Sequence, residues 1–474
     1  MDGKKEKLPL AIFKKTVREV PAYAAFLKDS GVSPAKIKTL RDFKTIPPVT
    51  KKNYLRKYPY LDLMPGRRIP PIVSMSSGSS GEQFYWPRGI KEDERGSVSH
   101  ERIFRDIFDI GTKRVLVVIC FSMGTWIAGT FTFSCVRLIA KRGANISVIT
   151  PGIEKEDALS ILKDYAPNFD MVIMAGYPPF VMDVLTSAEA SGLELAKLNL
   201  RLLLAGENFS ETWRRVAHGI AGIKDSYRGS AGIYGTADAD MLGHETPLSI
   251  YLRQAAVKNE KLRADIFGEV SFLPSLVHYD PVNTYFELVG DELVFTRDGG
   301  IPLVRYNMSD TGRLLERSDT MNIAKKHGLF TEIKRLGFDR FTAPMLSLHG
   351  RKDVAVSFYA LKVYPENIKA GLEDVAAAPF VTGKFIATTK MVNNEKDQQF
   401  FIRVELKNGV DHTLKIKKII EDRIVYHLRS LNKEYRKLHS SIGESALPIV
   451  ELAPFGSPEF AVKRSKHRWV GQQS

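Results

Sequence analysis

After the apolar pair Ile72-Val73 the chain runs Ser74-Met75-Ser76-Ser77-Gly78-Ser79-Ser80-Gly81-Glu82. Glycines free the backbone to present successive N–H groups and the hydroxyls add donors, so such a loop suits phosphate oxygens. The same composition also makes a plain flexible loop. It is not a Walker A loop, because no Gly-Lys-Ser/Thr follows, and it lacks the Gly-x-Ser-x-Gly nucleophile elbow. Further along come Ala205-Gly206-Glu207, Tyr234-Gly235-Thr236-Ala237-Asp238, Arg305-Tyr306-Asn307-Met308-Ser309-Asp310 and Gly350-Arg351-Lys352-Asp353. Each, taken alone, reads first as a turn, a surface carboxylate or a charged linker.

The elements around these residues follow from periodicity. Short β-like runs at Val115–Cys120, Ile146–Ile149, Met171–Met174 and Leu200–Ala205 alternate with helical segments at Lys155–Tyr165, Phe180–Ala190 and Glu211–Ile220, which predicts an α/β layered sheet. From Phe286 the grammar becomes antiparallel: Phe286–Val289, a Gly290-Asp291 turn, Glu292–Thr296, an Arg297–Gly300 turn and Ile301–Tyr306. Beyond Leu346 the texture changes again, with strands at Phe385–Thr389 and Phe400–Glu405 and a long basic amphipathic helix at Lys415–Leu431. A domain boundary is expected near Gly350, dividing residues 1–349 from 350–474.

The 474 residues allow two or three domains, and 44% hydrophobic with 26% charged residues exclude disorder, collagen and coiled coil as the dominant state. Cys120 and Cys135 are too few for a disulfide framework and read as buried free thiols in a reducing, cytoplasmic setting. Leu8 to Phe13 is too short for a signal-peptide core, so no export is expected. Val115 to Val136 carries no charge, a length that spans a bilayer. Its internal serines, threonines, Gly124 and Gly129 favour a buried strand, a glycine loop and a buried helix instead.

The net charge of +15 is spread along the chain: residues 351–474 carry 21 Lys+Arg against 14 Asp+Glu, leaving +8 for the first 350. Without a zinc-finger or RNA-binding signature, nucleic-acid binding has little support.

Taken in order, the serine/glycine loop, Gly-Glu, Tyr-Gly-x-x-acid, Arg-Tyr-x-x-x-Asp and Gly-Arg-x-Asp resemble the adenylate-forming acyl/aryl-CoA synthetase superfamily. Val20-Pro21-Ala22-Tyr23, Ile46–Lys52, Gly176–Phe180 and the ungapped run Arg351–Ile368 are most similar to its phenylacetate-CoA ligase branch. The resemblance implies a large multi-layer α/β amino-terminal domain with an antiparallel β subdomain, and a small mobile α+β carboxy-terminal lid. It implies ATP, Mg²⁺ and a small-molecule carboxylic acid as reactants, with coenzyme A as acceptor. Neither a membrane span nor a nucleic-acid partner is implied.

By position, the resemblance implies that Ser76, Ser77, Gly78, Ser79, Ser80 and Gly81 hold the triphosphate, while Gly206, Glu207, Tyr234, Gly235 and Thr236 frame the adenine. Asp310 would accept the ribose hydroxyls and Arg351 would contact ribose or phosphate. Asp238 stands where the family has a Mg²⁺-associated glutamate, and Asp353 matches its hinge. Lys466 matches the catalytic lysine near the carboxy terminus, with Lys463 as the alternative. Three positions depart from the pattern: Glu82 for a lysine, Ala237 for a hydroxyl residue, and Ala360 for a glycine beside the coenzyme A channel. Leu431–Arg436 resembles plant acyl-acid amido synthetases, so an amine acceptor stays open, as does a degenerate nucleotide-binding homologue. Trp126, Phe131, Tyr177 and Phe180 are either core aromatics or the walls of an aromatic acid pocket.

Overall fold

The computed structural model describes residues 7–76, 83–270, 272–351, 356–359, 361–392 and 397–460. Strands β1 (Ile72–Met75) and β2 (Tyr85–Arg88) pair antiparallel on the two sides of the serine/glycine loop. Residues 77–82 at its centre lie outside the described residues.

Five strands then pair in parallel: β3 (Val115–Cys120), β4 (Ile146–Ile149), β5 (Met171–Gly176), β6 (Leu200–Ala205) and β7 (Ser230–Thr236), in the order β4-β3-β5-β6-β7. Their unbroken apolar runs reflect burial on both faces, as crossover helices demand. Alternate residues part accordingly. Leu116, Val118, Val172, Met174 and Leu202 pack with Val181, Leu185 and Ala217 on one face, while Val115, Val117, Ile119 and Ile173 pack with Phe104, Phe131 and Val136 on the other. The charge-free stretch from Val115 thus divides into a strand, a loop with Gly124 at φ 74°, and the helix Ile127–Lys141. Among the described residues no helix is long and apolar enough to cross a membrane.

The same sheet continues antiparallel through β8 (Asp240–His244), β9 (Ser275–His278), β10 (Tyr285–Val289), β11 (Glu292–Arg297), β12 (Leu303–Leu315) and β13 (Met345–Arg351). The hairpin grammar read from Phe286 onward is therefore the edge of the large sheet. Strand β12 runs nine residues past Tyr306, because bulges against β11 and β13 let it continue while changing register. That extension places Asp310 inside a strand opposite Arg351.

From Val356 onward the described chain builds a hairpin of β14 (Val356–Phe358) and β15 (Leu361–Val363) and a sheet of β16 (Val381–Val392), β17 (Asp397–Leu406) and β18 (Ile449–Ala453). Helices Pro365–Leu372 and Leu414–Leu431 cover them. Among the described residues their core, including Phe358, Ile368, Phe400, Ile402, Ile420 and Leu428, draws on none before Val356. Both cysteines are free and buried, and burial raises their thiol pKa values, that of Cys120 to about 12.

Candidate functional site

At the carboxyl ends of β6 and β7, where ligands bind in open α/β sheets, lies a cavity of 740 Å³. Ser76, Gly206, Glu207, Tyr234, Gly235, Thr236, Asp238 and Asp310 all line it. The eight sequence candidates whose side chains are described thus share one wall, though they span 235 positions from Ser76 to Asp310. Arg351 joins through its backbone pairing with Asp310. Ser77, Gly78, Ser79, Ser80, Gly81, Glu82, Asp353, Ala360, Lys463 and Lys466 lie outside the described residues.

The two aspartates are held by tyrosines. Tyr234 donates its hydroxyl proton to Asp310 Oδ2 at 2.6 Å, and Tyr306 donates to Asp238 Oδ2 at 2.6 Å. Lys51 Nζ stands 3.4 Å from the same Asp238 oxygen. Its position follows from the segment before it. The Val49 N–H donates to the Arg305 carbonyl, the Asn307 N–H donates back to Val49, and the Thr50 hydroxyl caps the following turn. Lys51, Lys52 and Arg56 line the cavity together, and sequence reasoning did not assign them to it. Their signal was the cation pair after Pro47-Pro48, but only the bridge to β12 brings it here. Arg305 and Ser309 hold positive φ, 50° and 66°, the kind of backbone strain that collects at functional sites.

The turn after β6 is anchored from beneath. Arg214 and Arg253, both buried, share Glu211 and Glu245, with Arg214 2.7 Å from Glu245 and Arg253 2.8 Å from Glu211. Arg253 also donates to the carbonyls of Phe209 and Pro274. Burial pushes the Glu211 carboxyl up, but the two guanidinium groups outweigh it and hold the pKa below the usual carboxylate value. Glu245 in turn accepts the Gly232 N–H at 2.8 Å, fixing the middle of β7, where a Cβ on Gly232 would approach its carboxylate to 2.9 Å. Glu207 accepts hydrogen bonds from the Tyr177 hydroxyl and from Lys369, which arrives on the helix Pro365–Leu372. From the same helix Glu366 lines the cavity, buried with its pKa raised by desolvation.

A second cavity of 210 Å³ shares Gly206, Ile233, Gly235, Thr236 and Ala237 with the first. Trp126, Phe131, Tyr177 and Phe180 all line it, so these aromatics are pocket walls as well as core. Its polar walls include His100 and Asp240, and Lys384 reaches it from β16. Asp240 is 2.5 Å from Arg297, yet burial raises its pKa to about 6 against that attraction. The arrangement is chemically that of two communicating compartments. One is polar and carries cations and paired aspartates; the other is aromatic.

No family model matches the chain, and no curated protein matches it by sequence. Solved structures match it over nearly its whole length. 2-Hydroxyisobutyryl-CoA ligase, in the postadenylation state with R3-HIB-AMP, is 15% identical at a TM-score of 0.68, covering 98% of this chain and 89% of that one. The same ligase with 2-HIB-AMP and CoA in the thioesterification state aligns at 0.54, with 14% identity over 100% and 90% of the chains. An acyl acid amido synthetase in complex with 2,4-DB is 13% identical at 0.64, covering 100% and 92%. The fold is that of the adenylate-forming ligases.

Proposed function

We propose that the protein is an ATP-dependent ligase that activates a carboxylic acid as its acyl-adenylate and passes the acyl group to coenzyme A. The reading rests on the two communicating cavities and on the fold of ligases whose solved forms carry an acyl-AMP. A nucleotide in the larger cavity places its α-phosphorus near the shared wall of Gly206, Gly235, Thr236 and Ala237, where a carboxylate entering from the aromatic cavity meets it. One carboxylate oxygen bonds to that phosphorus as the α–β bridging bond breaks and pyrophosphate leaves. The thiol sulfur then attacks the acyl carbon, its proton passes to solvent, and AMP departs.

Within this reading Asp310 accepts the ribose hydroxyls, Ser76 to Gly81 take the triphosphate, and Lys51, Lys52 and Arg56 balance its charge. Lys466, or Lys463 in its place, stabilises the charge that develops between carboxylate and α-phosphate. Residues 350–474 act as the lid, turning at Asp353 to bring Ala360 to the thiol's approach.

Mg²⁺ suits the residues present. It needs only one or two carboxylates besides substrate phosphates. The contacts of Asp238 with Lys51 and Tyr306 both fall on Oδ2, which leaves Oδ1 for a hard cation among the described residues. When bound, the ion would neutralise phosphate charge. The phenylacetate-CoA ligase branch and a cytoplasmic setting complete the reading.

An amine acceptor is the second reading, favoured by the whole-length likeness to the amido synthetase. Pyrophosphate exchange into ATP over a panel of carboxylic acids tests the activation step. Repeating it with coenzyme A and with amines, and identifying products by mass, decides the acceptor. Absence of exchange with every acid would leave a nucleotide-binding homologue without turnover.

A further inference from the structure

A further cavity, of 290 Å³, lies across the sheet from the larger one, and no step of the proposed reaction uses it. Successive residues of a strand point to opposite faces, so Val277 of β9 lines the larger cavity while His278 lines this one. Arg95, Ser99 and Arg102 fall at i, i+4 and i+7 of the helix Ile90–Arg102 and give the cavity one helical wall. Arg297 and Thr284, both buried, line it as well, with Arg340 from the segment before β13. The Arg102 side chain is 53% exposed and Arg340 is exposed, so solvent reaches the charged groups of the lining.

The cavity therefore carries four guanidinium groups, and only two of them are balanced nearby. Arg297 is 2.5 Å from Asp240, and Arg102 is 3.1 Å from Asp280. Arg95 and Arg340 form no ion pair among the described residues. Each donates instead to a main-chain carbonyl at 2.8 Å, Arg95 to Asp298 and Arg340 to Asp106. A guanidinium has five donors, so both retain N–H groups for a ligand. Two carboxylates share the lining. Asp280 is taken up by Arg102, the Val282 N–H and Asn283, and Asp106 is exposed, where water and salt screen it. Burial lowers the Arg297 pKa in spite of Asp240, and the neighbouring Arg95 charge adds to that lowering. His244 and His278 are also lowered by burial, so neither ring adds a charge at pH 7.

Two unbalanced guanidinium groups call for a dianion. A phosphate group carries close to two charges on one centre at pH 7, and guanidinium forks match its oxygens. Ser99, Asn283, Thr284 and Thr342 add hydroxyl and amide groups that suit a hydroxylated carbon skeleton. A cavity of about 150 Å³ takes benzene, so 290 Å³ takes a phosphate with or without a short skeleton. We infer that this cavity binds a small phosphate dianion, inorganic phosphate or a monoester, with Arg95 and Arg340 as its charge partners. Such a site is separate from the nucleotide's phosphates and does not depend on the activation chemistry.

Isothermal calorimetry of the full chain with inorganic phosphate, glycerol 3-phosphate and ribose 5-phosphate tests it, with glycerol, ribose and the dianion succinate as controls. The larger cavity also takes phosphate in the reading above, so the titrations are repeated in Arg95→Gln, in Arg340→Gln and in the double variant Lys51→Gln/Lys52→Gln. A phosphate probe should bind about tenfold or more weakly in each arginine variant, the scale of losing one charged hydrogen-bonding partner. The double lysine variant should retain that binding. Arg340→Lys, which keeps the charge and loses the fork, should recover part of it. Arg340 is exposed, so the melting temperature of Arg340→Gln without ligand should match that of the wild type. Inorganic phosphate binding as tightly as either ester upholds the site with the free ion as ligand, and tighter binding of one ester upholds it with the ester. No heat from any phosphate probe, unchanged binding in folded Arg340→Gln or Arg95→Gln, or loss confined to the double lysine variant overturns the site. Succinate binding as tightly as the phosphates overturns the phosphate class.

Discussion

Asp310 and Lys466 carry the most exposed claims of the proposed chemistry. Asp310 sits in β12 with Tyr234 donating to Oδ2, and it lines the larger cavity. If it accepts both ribose hydroxyls, Asp310→Ala removes hydrogen bonds to a charged group worth about 1.5–3 kcal/mol each, so ATP should bind at least about tenfold more weakly. Asp310→Asn should recover little, because an amide offers one acceptor oxygen where two are needed. An unchanged nucleotide dissociation constant in Asp310→Ala removes the ribose role. Lys466→Ala should reduce pyrophosphate exchange by a factor of about 10² while leaving the circular dichroism spectrum unaltered, since charge appearing mainly in the transition state loses its partner. Full activity in Lys466→Ala with loss in Lys463→Ala transfers that role to Lys463.

At the scale of elements, the helix Pro365–Leu372 joins the carboxy-terminal residues to the larger cavity. Lys369 pairs with Glu207, and Glu373, just past the helix, accepts from the Ser210 hydroxyl that also caps Glu211–Ala221. Desolvation would lower the Lys369 pKa, but the surrounding carboxylates raise it. Removing one partner of so buried a pair strands the other, so the contact holds this helix against the turn after β6. Lys369→Met should lower pyrophosphate exchange by about tenfold while depressing acyl transfer from preformed adenylate much less. Equal loss in both, tracking a lower melting temperature, would mark the pair as structural only.

The pair also shows where sequence reasoning stops. The parallel strands were legible because burial on both faces leaves an unbroken apolar run, and β3, β4 and β6 match their sequence spans end to end. The motif residues were legible because each lies in a short contiguous cluster. Lys51, Lys369 and His100 were not, since nothing local says what they face, not even the cation pair that Lys51 opens after Pro47-Pro48. A main-chain bridge, a docking helix and an i to i−4 bond within a helix give them their places. The full length of β12 was hidden for a similar reason, because its bulges depend on two neighbouring strands.

For the molecule as a whole, buried histidines set the response to acid. Desolvation lowers His100, His218 and His349 to about 4 and His278 to about 3, each from 6.5. These rings are neutral when folded and take up protons on unfolding, so their contribution is present above pH 6.5 and is lost as pH falls towards 4. Asp240 acts in the opposite sense. Its pKa of about 6 means that between pH 3.8 and 6 the folded state holds a proton the unfolded chain releases. His244, also lowered by burial, acts with these histidines, and Glu366 and Glu373, raised by burial, act with Asp240, so five rings oppose three carboxyls. The unfolding midpoint should therefore fall steeply from pH 6.5 to pH 5 and vary little from pH 7 to pH 8, with calorimetry in buffers of different ionisation enthalpy counting the protons. His100→Phe should reduce the count by about one. A midpoint flat across pH 5 to 7 would mean that these rings are already protonated in the fold.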